Sequence, residues 1–292
     1  MWLMKTLLTS RCINQRGAGQ TLLGVPVDFN SSYLRGAAEA PELLRKAMAC
    51  DSSNWWTEQG IYLGQEGTFI DAGDVAVSAD HTKTLETIEI MARSCLANGR
   101  PLITLGGDHS ISYPVLRAFN EYHSDLTVIH FDAHPDLYDE LLGNRWSHAS
   151  PFARVMEEKI AKRLIQVGIR TLTGHQYEQA KKFGVEIISM SDLDKFFELE
   201  INGPVYISID LDVLDPAFVP GVSHYEPGGM SVRELIRCLH AINAPVVGAD
   251  VVEFNPQRDF QGQTAMVGAK LIKELAAKVL IQKVQPAWGK EV

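Results

Sequence analysis

Short apolar runs alternating with helical patterns constrain this chain more than any other feature. The runs fall at 22–27, 68–71, 101–105, 126–131, 164–169, 185–188, 205–211 and 246–252. Several are apolar without a break, as parallel strands buried on both faces must be. Between them lie amphipathic stretches. The stretch 41–49 opens on Pro41, a good first residue for a helix. The stretch 82–97 carries Leu85, Ile88, Met91 and Ala92 on one face. The stretches 231–242 and 263–279 repeat the pattern with Leu235, Cys238 and Leu239, and with Met266, Ala269, Leu271 and Leu275. Strand–helix alternation predicts right-handed crossovers and one mainly parallel sheet covered by helices. Sites in such folds form just beyond the carboxyl ends of the strands.

The 292 residues suffice for one large domain or two ordinary ones. No repeat, low-complexity segment or Gly/Ser linker divides them. The expected organisation is therefore an N-terminal extension over 1–20 and a single domain over 21–292. The extension holds Lys5, Arg11 and Arg16 with no acidic residue. A frayed terminus is the preferred reading of that composition, and the remnant of an organelle-targeting segment the alternative. Cys12, Cys50, Cys95 and Cys238 lie far apart and form no Cys-x-x-Cys pair, which points to reduced thiols. A cytoplasmic location is expected, with the mitochondrial matrix as the alternative. No apolar run reaches the roughly 18 residues a membrane helix needs. The net charge of -9 argues against a nucleic-acid partner and suits a small cationic substrate.

Polar clusters fall where three of the strands end. The run 101–105 leads into Gly106-Gly107-Asp108-His109-Ser110, and 126–131 into Asp132-Ala133-His134-Pro135-Asp136. The run 205–209 leads into Asp210-Leu211-Asp212, followed by Asp215-Pro216. In extended chain, alternate residues share a side, so Asp132, His134 and Asp136 converge, and so do Asp210 and Asp212. Pro135 biases His134 toward that extended form. Carboxylates crowded at a buried strand end need a cation among them. Together with His109 they would neutralise two divalent ions. Oxygen-rich ligation with some imidazole suits manganese better than zinc. Each group alone has a plainer reading: His109 as a cap, Asp210-x-Asp212 as solvated acids. Three separate strand ends make the plain readings poor together. Two further residues suit catalysis. His148, beyond Gly143-Asn144, is placed to shuttle protons or is an ordinary surface histidine. Glu253, at the end of the last run, would hold a guanidinium bidentately or form a salt bridge.

At these residues the chain resembles the ureohydrolase superfamily of arginases, agmatinases and related guanidino hydrolases. The three strand-end motifs match, as does the longer pattern from Ser208 through Asp210, Asp212, Pro216, Pro220 and Gly221 to Gly229. The likeness runs from about Leu23 to Ala277 and is greatest to plant-type arginases. That rests on Asp-Ala-His-Pro-Asp-Leu-Tyr-Asp at 132–139, Ser-His-Ala-Ser at 147–150, Ser-His-Tyr-Glu-Pro-Gly-Gly at 223–229 and Val-Val-Glu-Phe-Asn-Pro at 251–256. The resemblance implies a three-layer α/β/α sandwich with an eight-stranded mainly parallel sheet. It implies two Mn²⁺ ions, one on His109, Asp132, Asp136 and Asp210, the other on Asp132, His134, Asp210 and Asp212. It makes His148 the proton shuttle and Glu253 the guanidinium ligand, and implies a homo-oligomer, trimer or hexamer. The chain departs from animal arginases where Tyr138 replaces an Asn, Thr173 an Asp, and His224 a frequent Thr. Tyr138, His224, Asn144 and Ser147 are the candidates for the amino-acid end of the substrate. The expected reaction is L-arginine plus water to L-ornithine plus urea, with agmatinase activity as the rival. A catalytically silent scaffold and a phosphoesterase are weaker readings; the latter lacks a basic cluster near the motifs.

Overall fold

The computed structural model describes residues 19–280. The expected extension at 1–20, with Lys5, Arg11, Arg16 and Cys12, lies outside the described residues except Gly19 and Gln20. Gln20 opens the first strand rather than closing an extension. The strands are β1 (Gln20–Gly24), β2 (Phe69–Asp74), β3 (Leu102–Leu105), β4 (Thr127–Phe131), β5 (Arg163–Ile169), β6 (Glu186–Ser189), β7 (Val205–Asp210) and β8 (Val246–Val252). The helices are α1 (Ala40–Met48), α2 (His81–Leu96), α3 (Ser112–Asn120), α4 (Pro151–Glu157), α5 (Gly174–Phe183), α6 (Val232–Ala241) and α7 (Gln263–Leu280).

All eight strands join one sheet in the order β2-β1-β3-β8-β7-β4-β5-β6, and every neighbouring pair is parallel. Alternate residues feed opposite layers. Leu22, Ile103 and Ile129 face a core with Leu44, Leu235 and Leu271 of α1, α6 and α7. Leu23, Leu102 and Val128 face another with Ile88, Val115 and Phe152 of α2, α3 and α4. The result is the expected α/β/α sandwich. Helix α3 escaped the sequence pattern because nearly all of it is buried, which removes the polar face that betrays a helix. Helix α5 escaped it for the opposite reason, being mostly polar outside Ala180.

Strand order decides where the chemistry sits. The chain leaves β3 and returns as β4 with room between for β7 and β8. The carboxyl ends of β3, β8, β7 and β4 are therefore adjacent; Asp210 is the last residue of β7, and His109, Glu253 and Asp132 follow the ends of β3, β8 and β4.

Candidate metal centre

The end of β3 is held by a close backbone approach. Asp108 N–H donates to Val27 O at 2.7 Å, and Glu253 N–H donates to Gly107 O at 2.9 Å. A Cβ on Gly107 would lie 1.8 Å from Val27 O, so only glycine fits. The chain then turns through a short 3₁₀ segment (His109–Ile111) and aims the His109 ring into the sheet end.

The ring's tautomer follows from its neighbours. Ser208 Oγ donates to Asp250 Oδ1 at 2.6 Å, so it accepts from His109 Nε2 at 2.9 Å. Asp250 is held in turn by Tyr206 and Ser112. His109 Nδ1 is thereby left with a lone pair and no hydrogen-bond partner. It faces Asp136 Oδ2 at 3.0 Å and Asp132 Oδ2 and Asp210 Oδ2 each at 3.2 Å. A lone pair aimed at three buried carboxylates is repulsive unless a cation stands between them. Without one, a proton takes its place: burial opposes it, but the three carboxylates hold the ring's pKa well above the usual range.

A second cluster adjoins the first. His134 Nδ1 lies 3.0 Å from Asp212 Oδ2 and 3.4 Å from Asp132 Oδ1. The two groups able to grip an ion, His109 with His130, Asp132 and Asp136, and His134 with Asp132 and Asp212, share Asp132. Burial first, then Asp212 and Asp132, pushes Asp210 well above the carboxylate range. Burial, then Asp132, lifts Asp136 to about 6. Such crowding is what a pair of divalent ions relieves, and the donor set, carboxylate oxygen with some imidazole nitrogen, suits hard to borderline ions.

The route by which these side chains meet differs from the expected alternation. Beyond β4 the chain is no longer extended: Asp136 has φ 49°, a left-handed turn. That turn sends Asp136 to the His109 cluster and leaves His134 to the other. Asp210 and Asp212 likewise meet through a 3₁₀ turn, with Asp212 N–H donating to Asp210 Oδ1 at 2.8 Å. Carboxylates that accept backbone N–H groups at strand ends fold the chain into turns, overriding strand periodicity.

His130 enters the first group without having been singled out in the sequence. Gln166 Nε2 donates to its Nδ1 at 3.0 Å, so Nε2–H donates to Asp132 Oδ2 at 2.7 Å. Burial lowers its pKa to about 4, so it is a neutral ring that orients Asp132.

Beside the carboxylates stand Glu253 and His148. Glu253 has φ 63°, and its Oε1 accepts from His109 N–H and from His148 Nδ1, each at 2.9 Å. Burial alone would depress His148, but Glu253, then Asp136 and Asp108, raise it to about 9. Its Nε2 lies 2.8 Å from Ser32 Oγ, at the exposed rim. His224 closes the same wall, its ring 5.2 Å from His148 and 5.9 Å from His134.

The other expected substrate contacts sit in the loop between β4 and α4. Tyr138 stacks on His175 at 5.7 Å. Asn144 donates to Asn30 Oδ1 at 3.0 Å and accepts from Trp146 N–H at 2.9 Å. Ser147 is buried and its Oγ accepts from Ala149 N–H. Asn144 and Ser147 thus shape the loop that carries His148. Asn30, a buried hub, carried no signal in the sequence. It accepts His148 N–H through its carbonyl, donates to Asp108 Oδ2 through its amide N–H, and donates to Ser110 Oγ through its side chain. The signal for Ser208, Asp250 and His130 was present: each is a polar residue inside an otherwise apolar strand, where burial demands a partner.

Two acid clusters with a shared aspartate, at adjacent ends of a parallel sheet sandwiched by helices, define a binuclear metal-dependent enzyme of the α/β/α class. The arginase family model matches residues 18–277, and the chain belongs to that family. It is 48% identical to "Arginase 1, mitochondrial" of Arabidopsis thaliana, over 92% of this chain and 83% of that protein. It is 34% identical to the agmatinase of Bacillus subtilis (strain 168), over 88% of this chain and 91% of that protein. The solved arginase from Medicago truncatula superposes with a TM-score of 0.84 at 44% identity, covering 90% of this chain and 87% of the other.

Proposed function

We propose that this protein hydrolyses L-arginine to L-ornithine and urea with two Mn²⁺ ions. The observation that carries the metal reading is His109 Nδ1, unpartnered and facing three carboxylates. The preference for arginine over agmatine is supported by the plant arginases at 44–48% identity, against 34% for the Bacillus subtilis agmatinase.

In this reading His109, Asp132, Asp136 and Asp210 hold one ion, and Asp132, His134, Asp210 and Asp212 the other. When bound, the pair supplies Lewis acidity and lowers the pKa of an attacking water. Glu253 grips the substrate guanidinium, with the two oxygens of one carboxylate matching two N–H groups. Asp136 accepts a hydrogen bond from the attacking water and orients it toward the guanidinium carbon. His148, protonated at neutral pH while Glu253 is beside it, delivers a proton to the departing amine and is recharged from the rim by way of Ser32. His224 and Tyr138, with Asn144 and Ser147 behind them, line the approach for the amino-acid end. A trimer or hexamer is the expected assembly. A mitochondrial location, the alternative to a cytoplasmic one, is supported by the names of plant relatives.

Purified protein given Mn²⁺ should release urea from arginine far faster than from agmatine. Faster release from agmatine would make it an agmatinase; no release from any guanidino compound would leave it a scaffold.

A further inference from the structure

We infer that Arg170 is a positioning residue for the second ion of the pair, clamping together the chain segments that carry His134 and Asp212. The inference rests on the binuclear reading above. Arg170 follows β5, where a bulge at Gly168 (φ 95°) re-aims the chain toward the neighbouring loops. Its backbone N–H donates to Ala133 O at 3.0 Å, between Asp132 and His134. Its guanidinium reaches the other way. Nη2 donates to Asp212 O at 2.5 Å and Nη1 to Val213 O at 3.2 Å. Nε and Nη2 donate to Glu226 O at 2.8 and 2.5 Å. Among the described residues the hydrogen bonds of its guanidinium all go to backbone carbonyls, with Nη1 also reaching Gly168 O at 3.4 Å.

The side chain therefore joins the Asp212–Val213 and Glu226 segments, while the backbone N–H of the same residue holds the turn between Asp132 and His134. Ala133 N–H also donates to Asp212 Oδ1 at 3.2 Å, completing the link between the two ligand loops. The carbonyl of Glu226 is fixed so that its carboxylate faces His134 Nε2 at 3.5 Å, the imidazole edge away from the acids. A carboxylate there selects the tautomer whose Nδ1 lone pair points at Asp132 and Asp212. The packing admits little give: a Cβ on Gly229 would lie 2.7 Å from Arg170 Nη2. None of these contacts touches His109 or Asp136, the ligands of the first ion alone, so loss of Arg170 should weaken the second ion far more than the first. A planar fork of five donors can span carbonyls that a lysine ammonium, a single point, cannot.

The test uses the full chain stripped of metal and titrated with Mn²⁺ by calorimetry, with electron spin resonance to detect exchange-coupled pairs. Wild type should take up two ions. Arg170→Gln should bind the first ion close to wild-type affinity and the second about 10–100-fold more weakly. At equal loading the exchange-coupled signal should shrink, while metal-free melting stays cooperative. Arg170→Lys, which keeps the charge without the fork, should fall between them. Unchanged second-ion affinity in Arg170→Gln, or equal weakening of both ions, overturns the inference. So does loss of cooperative melting in both metal-free variants, which would make Arg170 a general scaffold residue. A wild-type chain that takes up only one ion sinks the binuclear reading itself, and that result shows before any variant is made.

Discussion

His148 is the residue whose surroundings say most about its task. It is almost wholly buried, yet one ring nitrogen touches Glu253 and the other the hydroxyl of exposed Ser32. An imidazole bridging a sealed carboxylate and the solvent rim is built to move protons. It belongs to neither group of metal-gripping side chains, so His148→Ala should retain both ions by elemental analysis while urea release falls about 10²–10⁴-fold. Turnover equal to wild type would remove His148 from the reaction. The clusters themselves behave differently. Asp132 is shared by both, accepts from His130 and from His134 N–H, and is held well below the usual range by the surrounding histidines against the cost of burial. Asp132→Ala should therefore lose metal and activity together; a variant that keeps two ions contradicts the shared-ligand reading. These residue types were readable in the sequence because acids and histidines crowded at buried strand ends need a cation among them. Asp250 and Gln166 were not read, and Ser208 entered only as the first residue of a matching pattern, since a lone polar residue in a strand gives no hint of which distant group it will meet.

At the scale of elements, all eight strands were legible: the six inner ones as short apolar runs buried on both faces, the edge strands β2 and β6 as short runs only partly buried. Their ends were less so. The turn at Asp136 and the 3₁₀ turn at Leu211–Val213 replaced the expected extended geometry, because backbone hydrogen bonds to aspartate oxygens compete with the pleat. The loop at 28–36 had no chemical signature, yet through Asn30 and Ser32 it forms a wall of the site. Its docking depends on Gly107, where any side chain would strike Val27 O. Gly107→Ala must separate the end of β3 from that loop, and overpacking of backbone on backbone costs about 3 kcal/mol. The variant should lose about that much stability by denaturant midpoint and weaken metal binding as well. A midpoint within experimental error of wild type would show the two loops to be independent.

For the whole molecule, the governing fact is that the four metal-site strands lie side by side although their motifs are spread from Asp108 to Glu253. Gathering acids this way makes metal and folding depend on pH together. Asp136 is raised to about 6 in the metal-free protein, and Asp210 is raised well above its ordinary value. A raised carboxylate favours folding below its unfolded pKa of about 4, and that contribution is lost as pH rises through its folded value. Ions reverse the balance by holding the ionised form. Metal-induced gain in Tm should therefore grow between pH 5 and pH 7, and affinity for Mn²⁺ should weaken progressively as protons compete below about pH 6. Equal retention of Mn²⁺ on dialysis at pH 5 and pH 8 would contradict this. The sequence by itself determined the layered architecture, the strands and the kinds of ligand at their ends, since these follow from local periodicity and side-chain chemistry. Only the tertiary structure decided which ligand serves which cluster, that Asn30 and Ser32 border the site, and that Arg170 ties the loops. Those outcomes depend on strand order and on turns closed by hydrogen bonds between segments far apart in the chain, and no local pattern encodes such pairings.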